Sequence, residues 1–478
     1  MTNRSRREFL RSAATAAGAI VLLPGASHAE SVTEAIAREL APQTNGWARV
    51  PGILKRIKPP RFPKRDFPVT KYGAVADGTA DCTDAFKRAI DACNAAGGGR
   101  VVAEGGTFLT GAIHLKSRVN LYVAKGATLK FSRDTNAYLP AVRTRFEGTE
   151  LMNYSPFIYA YDCTDVAVSG EGTLDGQADD EHWWSWKGGK NKKPGEPDYR
   201  PARDRLLAMA EQGTPVEQRV FGNGDFLRPN FIQPHKCRNV LIEGVTIVNS
   251  PMWEVHPLLC TNVTVRNLKI SSHGPNNDGC DPESCRDVLI EHCVFDTGDD
   301  CIAIKSGRNA DGRRVNVPSE NVIVRDCEMR DGHGGVTVGS EISGGTRYVF
   351  VERCRMDSPR LERALRLKNN AMRGGTLEHI YMRDVVVGEV ADAVLSVDYL
   401  YEEGAKGPFT PIARDIEMRK VTSRKSNYAL VLRGLEKGVI DDVRIIDCRF
   451  DGVAKPDVVE HVTRLQKVRV TVNGAPAK

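Results

Sequence analysis

From about residue 238 to the C-terminal coils the chain restates one nine-residue pattern of apolar and polar positions. The first clear copy is Asn239-Val240-Leu241-Ile242-Glu243-Gly244-Val245-Thr246-Ile247, and others begin at Asn262, Asp287, Asn321, Tyr348, His379, Asp415 and Asp442. Aligned, the copies put Val240, Val263, Val288, Val322, Val349, Ile380, Ile416 and Val443 in one column. A second column holds Ile242, Val265, Ile290, Val324, Val351, Met382, Met418 and Ile445. A third, beyond a polar break, holds Val245, Leu268, Cys293, Cys327, Cys354, Val385, Val421 and Cys448. Period-two alternation interrupted by a polar pair describes two short strands joined by a tight bend. The restarts fall 23 to 36 residues apart, and the unevenness lies between the copies. That is the mark of a solenoid with variable loops, whose coils bury their inward side chains only by stacking. A β-sandwich would need hairpin turns at short regular intervals. A leucine-rich horseshoe would need helical segments and a different motif. The pattern therefore predicts an all-β fold, a single-stranded right-handed parallel β-helix.

The flanks fill in the organisation. Residues 85–95 carry helical spacing, with Phe86, Ala89, Ile90 and Cys93 on one face and Gly97-Gly98-Gly99 as the stop. A helix there caps the open end of the solenoid's interior. Val101-Val102, Ile113 to Leu115 and Val119 to Val123 read as early coils. Residues 30–65, with Pro42, Pro51, Pro59, Pro60 and Pro63, read as a linker, which leaves 66–478 as the β-helix domain. The stretch from about Asp175 to Arg228 is a long insertion with few strand signals, and loops of that length in a compact fold are usually functional.

Residues 1–29 read as an address. Ser5-Arg6-Arg7-Glu8-Phe9-Leu10-Arg11 resembles a twin-arginine export signal, followed by an apolar run from Ala13 to Leu23 and small residues at Ser27-His28-Ala29. The run is shorter than the roughly 20 apolar residues that span a bilayer, so a removable leader is expected. The mature chain is then periplasmic or secreted, with no membrane span and, by analogy with such solenoids, monomeric. The leader also changes the charge balance. The whole chain carries +6, but four leader arginines against Glu8 account for +3 of it. The remaining +3 is too little for a general nucleic-acid binder. Twelve cysteines in an exported chain invite a disulfide framework. Their spacings match no zinc pattern, and several share one repeat column, where they read as small buried hydrophobes. Bridges Cys82–Cys93 and Cys280–Cys285 stay open from sequence.

Carboxylates interrupt the repeat at Pro275-Asn276-Asn277-Asp278-Gly279-Cys280-Asp281 and at Thr297-Gly298-Asp299-Asp300-Cys301. Gly332-His333-Gly334-Gly335 and Arg366-Leu367-Lys368 follow in later coils. Each segment alone is a good turn sequence. Their appearance in successive coils is what points to a site. Asp278 and Asp300 are 22 residues apart, about one coil, and residues one coil apart stack at roughly the 4.8 Å strand spacing. Alternation sends Arg366 and Lys368 to one side and Leu367 inward, and Gly298 allows a bend that brings both Asp299 and Asp300 to the cleft. Crowded carboxylates repel, so at least one keeps its proton to higher pH. Glycoside hydrolysis needs that split, one protonated acid and one ionised base. Arg366 and Lys368 suit a uronic-acid carboxylate.

The blocks Asn276-Asn277-Asp278, Gly298-Asp299-Asp300, Gly332-His333-Gly334 and Arg366-Leu367-Lys368 resemble the four signature blocks of the polygalacturonases, family 28 of the glycoside hydrolases. Asn277 stands where threonine is common. The resemblance runs from about Tyr72 to the C-terminal coils. It implies an inverting hydrolase without metal or cofactor, acting on acidic polysaccharide. Asp299 resembles the general acid, Asp278 and Asp300 the pair that activates water, with His333 close by, and Arg366 and Lys368 the binders of the galacturonate carboxylate. Asn276, His256, Trp183 and Trp184 are further candidates to contact sugar, beside Trp186 and the lysines Lys187, Lys190, Lys192 and Lys193. Long loops near the site favour attack from chain ends. Three alternatives remain: a rhamnogalacturonan or xylogalacturonan hydrolase of the same family, a calcium-dependent pectate lyase using Asp278, Asp281, Asp299 and Asp300 as oxygen ligands, and a non-catalytic polysaccharide-binding β-helix.

Overall fold

The computed structural model describes residues 46–188 and 195–477; the expected leader and Lys190, Lys192 and Lys193 lie outside them. The chain winds as a right-handed parallel β-helix. Among the described residues one face is a 13-stranded sheet and a second a 14-stranded sheet. The third is made of a three-stranded and a six-stranded sheet joined by bridges through Val255, Cys280 and Ile302. The columns of the repeat are hydrogen-bonded neighbours. Val240 pairs with Val263, then Val288, Val322, Val349, Ile380, Ile416 and Val443. All of them are buried.

The first residue of each copy turns the chain into the strand. Asn239, Asn262, Asp287, Asn321, Tyr348, His379, Asp415 and Asp442 all have φ between +54° and +60°. Asn and Asp tolerate that left-handed conformation best, which explains why they recur there. The helix Thr83–Ala95 buries Ala85, Phe86, Ala89, Ile90 and Cys93 as the expected cap, its Phe86 ring 6.1 Å from Phe108 of the solenoid core. The twelve cysteines are all buried and unbridged, including Cys82, Cys93, Cys280 and Cys285. Among the described residues no helix is long and apolar enough to cross a membrane.

Two regions depart from the sequence-based expectation. Residues 46–56, inside the expected linker, form a 3-10 turn Gly46–Arg49 and a helix Val50–Arg56. The reason lies in the strands they cover. Leu289, Ile323, Phe350 and Tyr381 stack as an outward-facing apolar column on the 13-stranded sheet, and Trp47, Val50, Ile53 and Ile57 bury it. Arg383 stacks on Trp47 at 3.9 Å, and Arg56 clamps Asp287 at 2.6 Å. The second departure precedes the expected insertion. An antiparallel hairpin, Val142–Phe146 with Thr149–Asn153, leaves the solenoid. With the helix Arg200–Glu211 it shares an apolar cluster of Phe146, Leu151, Tyr199, Leu206, Phe221 and Trp253, which fastens both elements to the coil at Met252 and Trp253.

Trp47→Ala empties a fully packed indole site, a change that costs about 3 kcal/mol or more. Thermal unfolding followed by circular dichroism should move to lower temperature, with binding of an apolar dye to the uncovered column; an unchanged melt would mean that residues 46–57 do not support the solenoid.

Candidate active site

The turn between the 14-stranded sheet and the third face delivers the acidic residues. Asp299 and Asp300 follow the strand Val294–Thr297, and Gly298 makes their bend possible by close approach: a Cβ there would lie 2.3 Å from the Gly274 carbonyl oxygen. The bend brings Asp299 to the cleft wall and Asp300, which is fully buried and does not line the cleft, beside it. Asn277 stitches the preceding coil, its amide donating to the Ser250 and Met252 carbonyls while its oxygen accepts from Ser272 and Gly274. That fixes Asp278 beside the other two. The closest oxygens of Asp278, Asp299 and Asp300 lie within 4.8 Å of one another.

Cations from later coils meet this group. Arg366 and Lys368 point out of the strand Arg363–Lys368 while Leu367 is buried inward, as alternation requires. Lys368 Nζ donates to Asp300 Oδ2 at 2.8 Å, and Arg366 Nη1 lies 3.5 Å from Asp300 Oδ1. Thr337 Oγ1 donates to Asp300 Oδ1 at 2.8 Å. Gly334 leaves room for that contact, since a Cβ would sit 2.2 Å from Thr337 Oγ1 and 2.9 Å from Asp300 Oδ1. His333 Nδ1 is 2.9 Å from Asp299 Oδ1.

The three carboxylates are electrostatically distinct. Burial, reinforced by repulsion from Asp299 and Asp300, pushes Asp278 up to about 7 against the pull of Lys305 and Lys368. Burial is the largest influence on Asp299 and would raise it, but the His333 hydrogen bond together with the charges of His333 and Lys368 brings the group below the ordinary aspartate value. At Asp300 the burial effect is overwhelmed by Lys368, Arg366 and Lys305, which hold it well below that value. His333 is raised to about 9, chiefly by its hydrogen bond to Asp299.

The cleft has a volume of about 560 Å³. Asn276, Asp278, Asp299, His333, Arg366 and Lys368 line it, together with Trp253, Lys305, Arg308, Glu341 and Tyr401 from the coils, Glu147 from the hairpin tip, and Lys187, Tyr199, Arg200 and Arg203 from the insertion. Asn276 is held by Arg228, which donates to its side-chain oxygen at 2.8 Å. Three expected contacts are placed elsewhere. Trp183 is buried among Tyr138, Tyr154, Phe157 and Trp186, so it anchors the insertion and offers no face to a sugar. Trp184 packs beside Gly274 and donates to the Ser250 carbonyl at 2.8 Å, outside the cleft lining. His256 is fully buried beneath the hairpin, bonded to Glu283 at 2.8 Å through Nε2 and to Asn230 and Gln233 through Nδ1. Lys305 was missed, although its signal was present: in Ile302-Ala303-Ile304-Lys305 both isoleucines are core residues, which turns Lys305 outward on the same side as Arg366.

Among the described residues of the cleft, Asp278, Asp299 and Asp300 bring oxygen atoms close enough to converge on a cation. Two ammonium groups already stand against them, Lys368 at 2.8 Å and Lys305 at 3.3 Å, so the donor set is poor for calcium, which takes six to eight oxygens.

Comparison with known proteins shows the family. Residues 222–469 match the family model described as glycosyl hydrolases family 28. The chain belongs to that family. Among solved structures it is similar to a hyperthermoactive exopolygalacturonase from Thermotoga maritima, at 46% identity and TM-score 0.87 over 90% of this chain and 96% of that one. It is 28% identical to a probable polygalacturonase of Vitis vinifera over 66% of this chain and 27% identical to an exo-poly-alpha-D-galacturonosidase of Dickeya chrysanthemi over 77%. The matches span 59% and 64% of those two proteins' lengths. The family model begins after the hairpin and the helix Arg200–Glu211, so the insertion side of the cleft lies outside the matched region.

Because the His333 shift arises mainly from Asp299, Asp299→Asn should return the His333 imidazole from about 9 toward the ordinary value of about 6.5. Imidazole proton NMR, with His333→Ala assigning the resonance, checks this; a titration unaffected by the substitution would mean that the ring takes its proton affinity from elsewhere.

Proposed function

We propose that this chain hydrolyses α-1,4-linked galacturonic acid in polygalacturonate or its oligomers, attacking from chain ends. One observation carries the proposal: a cleft with three electrostatically split carboxylates and two cations of the uronate-binding kind is walled on one side by the hairpin and its neighbouring helix. The family membership and the similarity to an exopolygalacturonase support the same activity.

The proposed chemistry divides among the residues by their proton affinity. The Asp299–His333 pair holds one proton up to about pH 9, on the imidazole at rest because Asp299 lies below its ordinary value. As the glycosidic bond breaks, that proton passes from His333 to Asp299 and Asp299 protonates the leaving oxygen. Asp300 is too strongly stabilised as a carboxylate to be a good proton acceptor, since efficient bases have pKa near the working pH; it orients the water. Asp278, at about 7, is matched to take the water's proton. Arg366 and Lys368 bind the carboxylate of the sugar being cut. Inversion, implied by the family resemblance, requires the attacking water to sit between Asp278 and Asp300, on the face of the sugar opposite the leaving oxygen.

Chain-end action is supported by what the hairpin covers. The outward side chains of the third face form a row from Arg366 and Thr337 through Ala303, and the bridges extend it through Asp281, His256 and Gln233. The hairpin lies on the far part of this row, with Thr144 Oγ1 donating to Gln233 at 2.6 Å and Arg145 paired with Glu283 at 2.9 Å. Its tip, Glu147, lines the cleft. A polymer threaded along the row would collide with it. The proposed working site is the periplasm or the medium, reached through the twin-arginine leader; twelve buried, unbridged thiols suit a chain that folds in a reducing compartment before export.

A timed digest of polygalacturonate in the presence of chelator should yield saturated products, with monomer or dimer and no ladder at early times. A ladder would overturn chain-end action, and unsaturated products needing calcium would indicate a lyase. Proton NMR of the first product should show the β-anomer. Asp299→Asn should lose at least about a thousandfold in turnover while still binding oligomer; unchanged function would favour a binding protein. The profile of kcat/KM against pH should be bell-shaped: the rate rises as Asp278 deprotonates near about 7 and falls as the Asp299–His333 pair loses its proton near about 9.

A further inference from the structure

We propose that Lys305 is a positioning residue for the reaction, whose ammonium group holds the Asp278 side chain at the cleft wall and keeps it available as a carboxylate. The proposal rests on the role given to Asp278 above.

The geometry is that of a fixed charge. Lys305 Nζ lies 3.3 Å from Asp278 Oδ2, 3.3 Å from Asp281 Oδ1 and 3.3 Å from Glu341 Oε2. It sits 4.2 Å over the Trp253 ring, and its side chain is 3% exposed. Acids from successive coils and an indole face thus hold one ammonium group, which leaves it little freedom to follow a substrate. Lysine is normally valuable for its mobility; here that is removed. Asp278 Oδ2 is directed at Nζ, while its Oδ1 has no hydrogen-bonding partner within the protein.

The surroundings make a counter-charge necessary. Asp278 faces the buried Glu254 from the preceding coil and Asp281 from its own. Glu254 is pushed well above its ordinary value by burial and by Asp278, and Asp281 likewise, so both hold their protons and add no charge. From the next coil come Asp299 and Asp300, both ionised. Lys368 compensates Asp300 at 2.8 Å, Arg366 stands on the same residue, and Arg308 lies 3.6 Å from Glu341. The buried Arg228 is engaged with two carbonyls and Asn276. Lys305 is therefore the cation assigned to Asp278. Even with it in place, burial leaves Asp278 near about 7. Without it, the same burial and the same two neighbouring carboxylates would keep the group protonated through the working range.

Lys305→Met, with Lys305→Gln beside it in case the apolar variant does not fold, tests this through the acid limb of kcat/KM. The limb should move upward by about one pH unit or more, and the lost rate should return at alkaline pH until the Asp299–His333 limb intervenes. Lys305→Arg, which keeps the charge, should leave the limb close to its original position. A lowered kcat with an unshifted limb, or a raised KM with kcat unchanged, would overturn the proposal, the latter by making Lys305 a direct substrate contact. If the unsubstituted protein shows no acid limb, or does not hydrolyse polygalacturonate, the role given to Asp278 fails first and the proposal with it.

Discussion

Every coil of this solenoid is hydrogen-bonded along its length to the coil before and the coil after, at the strand spacing of about 4.8 Å. That constraint makes residues 20 to 74 positions apart in sequence into neighbours, and it acts on polar groups as strictly as on apolar ones. The bend residues show it. Asn262 donates to Asn239 at 2.7 Å and Asn239 to Asp165 at 2.8 Å, a ladder in which each left-handed residue satisfies the one below. A second column alternates in sign from Glu243 to Arg383, before Arg419 stacks on Arg383: Arg266 pairs with Glu243 at 2.7 Å, Arg325 with Glu291 at 2.6 Å and Arg383 with Glu352 at 2.6 Å. Like charges stacked in such a column would repel at every step, so alternation of sign is what the stacking demands.

The cleft is where that demand is not met. Asp278 and Asp300 stack as like charges with Asp299 beside them, and carboxylates within 4.8 Å of one another repel by about 3 kcal/mol per pair at an effective dielectric of about 20. Relief comes from cations supplied by later coils, and unevenly. Asp300 receives Lys368, Arg366 and Thr337; Asp299 receives His333; Asp278 receives Lys305, which Glu341 shares. The uneven supply separates the proton affinities of three chemically identical groups. In the proposed reaction an acid, a base and a water-orienting carboxylate emerge from one stacking defect.

How much of this is legible in the sequence follows from the same periodicity. The columns of Val, Ile and Cys, the cap over 85–95 and the convergence of Asp278, Asp299, Asp300, His333, Arg366 and Lys368 could all be read, because alternation and a repeating coil determine which side chains share a face. Trp183 and His256 could not be placed correctly. Alternation says that His256 points outward, but not that a hairpin outside the repeat lies on top of it. The hairpin at 142–153 mixes arginine, glutamate and threonine with Phe146 and Leu151, and gives no clean period. The covering segment at 46–57 was obscured by the prolines in and around it, although its counterpart was visible: outward positions Leu289, Ile323 and Phe350 are apolar in strands whose outward positions are otherwise polar, and an apolar outward column needs a cover.

The ion pairs beneath the hairpin explain how an element outside the repeat obtains one position. Arg145 and Glu283 have side chains with no exposure at all, and Arg219 pairs with Asp311 almost as deeply at 2.9 Å. Such pairs contribute little net stability, since desolvation offsets most of their attraction, but separating them leaves a buried charge without its partner. A hairpin held only by Phe146 and Leu151 could slide on an apolar surface at small cost. Once Arg145 is seated on Glu283 and Thr144 on Gln233, a shift of one residue breaks both contacts and reverses which side chains face the solenoid. The tip at Glu147 is thereby fixed against Arg308, whose backbone N–H donates to the Gly148 carbonyl at 3.0 Å, and the wall of the cleft inherits that precision from charges buried well outside it.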